Sequence, residues 1–425
     1  MAESAKYHVI TFGCQMNERD SEVIAGLLES VGMERVADIR KAAVTVVNTC
    51  HVREHAEQRA LSLLGRLGPW RKAKPGRTLV IAGCVAAALG EELLTRFPQL
   101  DVVVAPARLM SLPSLIARAA TGERVVAAAG HDGAGEEGVP ELPGSHPSSF
   151  SAWIKVMEGC DLGCTYCVVP SVRGHGRFRE LGGITAEAEA LAARGTVEVT
   201  LLGQTVNSWR DGEKGFGELI KALDGVGGLR RVRFMSPHPS FMGSDVLEAM
   251  AASRNACRQL HLPVQSGSDR VLKAMHRGYT CERFLSIVRR ARDLMPGLAV
   301  TTDFIVGFPG ETEEDFEATL ALAREAALDG AFTFKFSARP GTAAAGVPDD
   351  VSRKEKQERL ARLNQLLDDG TRKRNGALVG TMTEVLVEGP RRKQPGGTVL
   401  VGGVKSAGGT AAPAPDARAS GPATE

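Results

Sequence analysis

The chain has no apolar run approaching the ~20 residues that a membrane-crossing helix needs, so no membrane role is expected. Residues 1–14 lack the basic-then-apolar layout of a secretion signal; residues 7–12 read better as a first strand. The expected compartment is therefore the cytoplasm, or an organelle whose targeting segment has been removed. Excess charge is missing too: 52 Lys and Arg against 50 Asp and Glu leave +2, which identifies no partner. Cysteine is scarce and scattered, eight in 425 residues, which excludes a disulfide scaffold. In a reducing compartment, clustered cysteines point to metal binding or catalysis instead.

What is present is ordinary in bulk: 43% apolar and 24% charged residues, typical of a globular chain long enough for two or three domains. The charge is uneven, however. Residues 352–393 hold 11 Lys and Arg against 6 Asp and Glu, a basic stretch suited to an anionic partner.

The first ~120 residues alternate β-branched runs (7–12, 44–48, 78–82, 101–105) with helical patterns (20–31, 53–67, 89–97), which argues a parallel sheet wrapped by helices. Residues 130–149 turn to Gly, Pro, Ser and acidic residues without periodicity, the composition of a linker. A second series follows, with strands at 151–157, 197–202, 230–235, 259–262, 299–306 and 331–336 and helical patterns between them. Six β/α repeats suit a partial (β/α) barrel with every strand's C-terminal end on one face. A charged helix over 352–374 presents Leu360, Leu363 and Leu367 on one side. Residues 378–388 read as β-like, and the Gly/Ala/Pro/Ser tail from 405 has the composition of disorder. The expected α/β organisation is thus an N-terminal open parallel sheet (1–128), a linker (129–149), a barrel (150–375), a short truncated β piece (376–404) and a tail (405–425).

Cys160, Cys164 and Cys167 share one loop directly after the first barrel strand. Three thiolates at spacings of four and three can ligate three irons of a cubane cluster and leave the fourth iron open. Zinc favours paired Cys-x-x-Cys ligands or added histidines, and His175 is the one nearby candidate. Cys14, Cys50 and Cys84 each follow a strand of the first series, 36 and 34 residues apart. They therefore meet at one edge of the sheet, where open α/β folds build ligand sites; a metal or cluster site and buried core thiols are both open there. Cys257 and Cys281 have no partner at ligand spacing.

At these residues the chain resembles a known family over about residues 7–388. CDLGCTYC (160–167) is similar to the signature of radical S-adenosylmethionine (SAM) enzymes, with Tyr166 as the aromatic before the last cysteine. GCQMN (13–17) with Asp20-Ser21, NTCHVREHAE (48–57), HLPVQSGS (261–268) and TTDFIVGFPGET (301–312) resemble the methylthiotransferases in the family's own order. Gln15-Met16 and Val52-Arg53-Glu54 favour the MiaB-type branch acting on prenylated adenosine in tRNA, over those acting on threonylcarbamoyladenosine or a ribosomal protein. An RNA module that binds zinc or a cluster without catalysis, or an inactive descendant, is the reading from another class.

The resemblance implies two 4Fe-4S clusters, one per cysteine triad. SAM would bind at the first, and its cleavage would give a radical that takes hydrogen from C2 of the adenine. The second would carry the sulfur and accept a methyl group. It implies SAM contacts at Tyr166, Gln204, Asn207, Ser268, Arg277, Gly307, Pro309 and Gly310; the anticodon stem-loop of tRNA as substrate; a flavodoxin-like electron donor; and a monomer. Gln204 and Asn207, after the second barrel strand, are alternatively a polar cap on a βα turn. Two departures stand out. The family's Arg-Gly-x-Glu-x-Ser-Arg pattern appears here as Arg173-Gly174-His175-Gly176-Arg177-Phe178-Arg179, without the glutamate. The family's C-terminal TRAM barrel, an RNA-binding module, begins with VLVEGP (385–390) and then gives way to Gly/Ala/Pro sequence, short of the strands a closed barrel needs.

Overall fold

Two alternating β/α series build the protein in the computed structural model, which describes residues 5–128 and 150–387. The first series gives β1 (Lys6–Thr11), β2 (Glu34–Arg35), β3 (Val44–Thr49), β4 (Thr78–Gly83), β5 (Val102–Val104) and β6 (Val125–Ala127). They form one parallel sheet in the order β2-β1-β3-β4-β5-β6. Strands β3 and β4 are buried at every position, as expected where helices cover both faces. One face packs Val44, Val46, Val80 and Val102 against Ile24, Leu28, Leu112 and Leu115. The other packs Val47, Leu79, Ile81 and Val103 against Ala60, Leu64 and Leu93. Chain order reverses between β1 and β3, the switch point where sheets of this order hold ligands.

The second series supplies β7 (Ser151–Lys155), β8 (Met157–Glu158), β9 (Arg177–Phe178), β10 (Glu198–Leu202), β11 (Arg231–Phe234), β12 (Gln259–His261), β13 (Ala299–Val306) and β14 (Gly330–Lys335). Parallel trios β11-β10-β7 and β12-β13-β14 are linked by a bridge between Val232 and Ala256, while β8 and β9 pair antiparallel. The result is an open barrel with β7 and β14 at its two edges. Strand β13 alternates cleanly: Val300, Thr302, Phe304 and Val306 are buried, and Thr301, Asp303 and Ile305 face the lumen half-exposed. The buried set joins Val199, Leu201, Ile220, Phe284 and Leu363 in one core between strands and outer helices.

Some expectations needed correction. The helix expected over 20–31 runs Gln15–Ser30, because Asn17 Oδ1 accepts from Cys14 N (3.2 Å) and starts it directly after the cysteine. The one expected over 89–97 is two, Cys84–Leu89 and Glu92–Arg96, separated by Gly90 at φ 47°. Strands β2 and β6 were too short for periodicity to show. The β-like stretch at 378–388 is not a strand over its described part: 378–387 follow helix Arg353–Ala377 without pairing, and Val379 and Met382 are exposed. The linker expected at 129–149 and residues 388–425 lie outside the described residues. Among the described residues no helix is long and apolar enough to cross a membrane.

Candidate functional site

The three cysteines of the first series sit at the C-terminal ends of three adjacent strands: Cys14 after β1, Cys50 after β3 and Cys84 after β4. Gly83 turns the chain there with φ 93°, and any Cβ on it would lie 2.4 Å from Thr49 O, so only glycine delivers Cys84 to this corner. The Cys14 and Cys50 thiols share a hydrogen bond that pushes Cys14 below the ordinary thiol range and Cys50 above it. Burial raises the Cys84 thiol, opposed by the Arg173 guanidinium.

The second triad lies on the loop after β8. Gly159, at φ 82°, approaches His175 so closely that a Cβ would fall 2.0 Å from its carbonyl oxygen. Cys160 Sγ is 3.1 Å from Thr205 Oγ1 and accepts from Leu162 N (3.4 Å); Cys167 Sγ accepts from Val169 N (3.4 Å); Cys164 Sγ accepts from Arg277 Nη1 (3.4 Å). Burial raises the Cys167 thiol to about 12, helped by the other two sulfurs. Among the described residues no group of three or more His, Cys, Asp or Glu is arranged to hold a metal ion. A four-iron cluster binds each thiolate to a different iron and so spaces them more widely than one ion does. The donor set fits such a cluster: three thiols in each triad, those of the loop each met by an N–H donor and Cys84 of the other by Arg173.

Arg173 ties the two triads together. It is almost fully buried and donates from Nη1 to Glu158 Oε1 (2.8 Å), from Nη2 to Asp20 Oδ2 (2.6 Å) and from Nε to Cys84 Sγ (3.3 Å). Lys155 completes the group with Glu158 at 3.0 Å. Burial alone would raise the Glu158 carboxyl, but the Lys155 and Arg173 cations hold it below the ordinary range. A second tie joins Arg19 to Glu187 (2.9 Å). A third joins the segment after β14, Ser337 to Glu54 (3.0 Å) and Arg339 to Glu57 (3.3 Å).

The other expected site residues gather at the same barrel end, where several already serve as supports. Gln204 Oε1 accepts from Gly159 N (2.6 Å). Asn207 exchanges both amide groups with the His238 backbone. Ser268 caps helix Asp269–Ala274 and donates to Asp315 (2.5 Å). Arg277 also holds Pro263 O and Tyr279 Oη. Tyr166 is packed beside Phe308, Phe336 and Ile305. Gly307 and Gly310, at φ 71° and 78° around Pro309, shape the turn after β13, where Gly307 N donates to Glu311 (2.8 Å). Where the family pattern has the glutamate, at Gly176, the Asp161 carboxylate accepts from Gly176 N (3.2 Å) and pairs with His175 (2.9 Å).

Sequence reasoning missed Arg173 as a junction, Glu158, and His238. Ser236, before His238, and Gln265, after β12, are non-glycines at φ 58° and 75°, conformations that cost of order 1–3 kcal/mol each and cluster at functional sites. Ser240 N donates to His238 Nδ1 (3.2 Å), which puts the proton on Nε2, and no partner meets Nε2. Burial, with Arg277 nearby, lowers the His238 pKa to about 3. The unfolded chain therefore takes up this proton first on acidification, near the ordinary pKa of 6.5. Stability from neutral His238 is fully present above that value and is lost as pH falls from about 6.5 toward 3. Melting curves across this window should show a steeper acid loss for the native chain than for His238→Gln.

The family model of the radical SAM superfamily matches residues 154–323, and that of the uncharacterized protein family UPF0004 matches 6–105. A tRNA-2-methylthio-N(6)-dimethylallyladenosine synthase of Frankia alni is 47% identical over 91% of this chain and 78% of its own length. The protein of that name from Mycolicibacterium smegmatis is 44% identical over 90% and 76%. Among solved structures, the radical SAM methyltransferase TsrM of Kitasatospora setae superposes with a TM-score of 0.57 at 16% identity, over 80% of this chain and 77% of its own. The cobalamin-dependent SAM radical enzyme OxsB gives 0.54 at 11%, over 86% and 56%. At such identities these two share the fold.

Proposed function

Because the chain belongs to the radical SAM family of tRNA-2-methylthio-N(6)-dimethylallyladenosine synthases, we propose that it adds a methylthio group to C2 of a prenylated adenosine in tRNA. The observation that carries this reading is the Arg173 junction, which joins Cys84 of one cysteine triad to Glu158, two residues before Cys160 of the other. Two separate three-thiol sites suit a reaction needing one centre to activate SAM and another to hold sulfur.

Cys160, Cys164 and Cys167 would hold the cluster that binds SAM, and Cys14, Cys50 and Cys84 the other. When bound, a four-iron cluster with an open iron supplies SAM's anchoring point and the electron for its cleavage. The chain's own work is to aim and to screen. Arg277, buried and donating to Cys164 Sγ, sets positive charge beside the loop triad, where a SAM carboxylate would be met. The turn of Gly307, Pro309 and Gly310 lets backbone approach the adenosine. Gln204, Asn207 and Ser268 fix the loops around that space, and Tyr166 walls it. Arg173, donating to Cys84 Sγ, opposes the effect of burial there and would ease the holding of negative charge.

The test is nucleoside analysis of tRNA from a deletion strain carrying this chain or an empty vector. The methylthiolated prenyl-adenosine should return only with the chain; prenyl-adenosine left unconverted would reject the reading. Anaerobic reconstitution should give about eight irons per chain from two four-iron clusters. Replacing Cys14, Cys50 and Cys84 by Ala should halve that iron content.

A further inference from the structure

The last barrel strand carries a ladder of aromatic rings that nothing in the site above uses. Phe332, Phe334 and Phe336 stand at alternate positions and so share one face of β14 and its continuation. Thr333 and Lys335, on the opposite face, bind Asn364 (2.6 Å) and Gln357 (2.9 Å) of the outer helix Arg353–Ala377. The phenylalanines therefore face the lumen. Phe336, at the top, is buried edge-on against Phe308 (5.2 Å) in the cluster of side chains that includes Tyr166 of the cysteine loop. Phe334 and Phe332 lie successively lower, by about 6.6 Å per pair of residues, and are 42% and 61% exposed. In a closed barrel such positions are filled by packed side chains; here the lumen beside β14 is open.

The surroundings say what could fill it. Phe332 meets the His261 ring edge-on at 6.0 Å. Asp303 is the strand partner of Phe332 and lies 3.5 Å from His261 Nε2. An occupant thus meets one carboxylate and two exposed apolar rings, the rings on the strand that leads to Phe336 beside Tyr166 of the cysteine loop. On the outer side of the same strand, Lys335, Arg353 and Lys354 line an open groove with Gln357 and Glu358, which offers cations to a phosphate backbone.

We propose that Phe332 and Phe334 form the specificity wall for an unstacked prenylated adenine, contacting its hydrocarbon branch and ring, with Asp303 accepting from the N6–H. Enzymes that modify a base take it out of its stack and hold it between apolar or aromatic side chains. This assignment rests on the functional reading above and adds the residues that select the prenyl group.

The test measures binding of two anticodon stem-loop RNAs, carrying adenosine or N6-isopentenyladenosine, to the reconstituted full chain by anaerobic fluorescence anisotropy. The native chain should prefer the prenylated RNA by about tenfold or more, the scale on which apolar pockets discriminate. The Phe332→Ala/Phe334→Ala double variant should lower that preference to about twofold or less, weakening the plain RNA far less than the prenylated one, since the groove cations are untouched. Phe332→Leu/Phe334→Leu should keep an intermediate preference. Both rings are exposed, so the melting temperatures of the variants should match the native one. Undiminished preference in the double alanine variant, or equal binding of both RNAs by the native chain, overturns the assignment. If methylthio product forms normally in either case, the wall alone is wrong; if the native chain makes none from prenylated RNA, the functional reading falls with it.

Discussion

Cys164→Ala is expected to abolish SAM cleavage and methylthio product together, whereas Cys50→Ala should abolish only the product. Cys164 belongs to the loop triad, beside Arg277, and on the proposed function its loss would remove one of three ligands at the SAM-activating site. Losing even an outer partner of a metal ligand costs roughly 10–100-fold, so loss of the ligand itself should exceed about 100-fold. Cys50 lies at the end of β3 beside the Cys14 thiol, whose hydrogen bond raises it, in a triad to which the loop contributes no cysteine. The Cys50→Ala protein should still release 5′-deoxyadenosine on reduction with SAM. Mass spectrometry after anaerobic turnover with prenylated tRNA separates the outcomes. Near-native methylthio yield from Cys50→Ala would mean that the sulfur comes from elsewhere and that the β1, β3 and β4 cysteines have another role.

Arg173→Met should be the most damaging single change away from the cysteines. It strands two carboxylates, Asp20 and Glu158, whose side chains are 1% and 4% exposed. Breaking a buried pair from one side costs about 3–5 kcal/mol. Lys155 still reaches Glu158 at 3.0 Å but only approaches Asp20, at 4.0 Å, so Asp20 bears the larger penalty. Arg173→Lys should rescue little, because one ammonium cannot reproduce donation in three fixed directions to Asp20, Glu158 and Cys84. Combining Arg173→Met with Asp20→Asn should recover part of the loss by removing the stranded charge. Thermal melting of the four proteins measures this. Equal melting temperatures for Arg173→Met and native protein would show that the junction contributes no stability.

The loop triad was legible because its three thiols are neighbours in sequence, at spacings of four and three. The sheet-edge triad required one further step, from β/α alternation to equivalent strand ends. The Arg173 junction could not be read that way: its partners lie 15, 89 and 153 residues away, on three separate elements. His238 looked like one more loop residue, since its special position comes from the left-handed Ser236 and the grip of Asn207. The helix starts at Gln15 and Cys84 were misplaced because a cysteine and a glycine, not the usual Ser, Thr or Asp, precede them. At 378–387 the sequence reads as β-like, yet among the described residues no strand pairs with it, and β-propensity without a partner does not make a strand.

The contacts after β14 carry a consequence for the order in which the chain comes into being. Ser337 reaches back 283 residues to Glu54, and Arg339 reaches back 282 to Glu57. The sheet bearing Cys14, Cys50 and Cys84 is complete in sequence by residue 127, but one of its clamps is synthesised more than two hundred residues later. During translation, at about 5–20 residues per second, this sheet would stand for some ten seconds or more with its cysteine edge lacking that cover. The interval closes only when the segment after the barrel's final strand emerges.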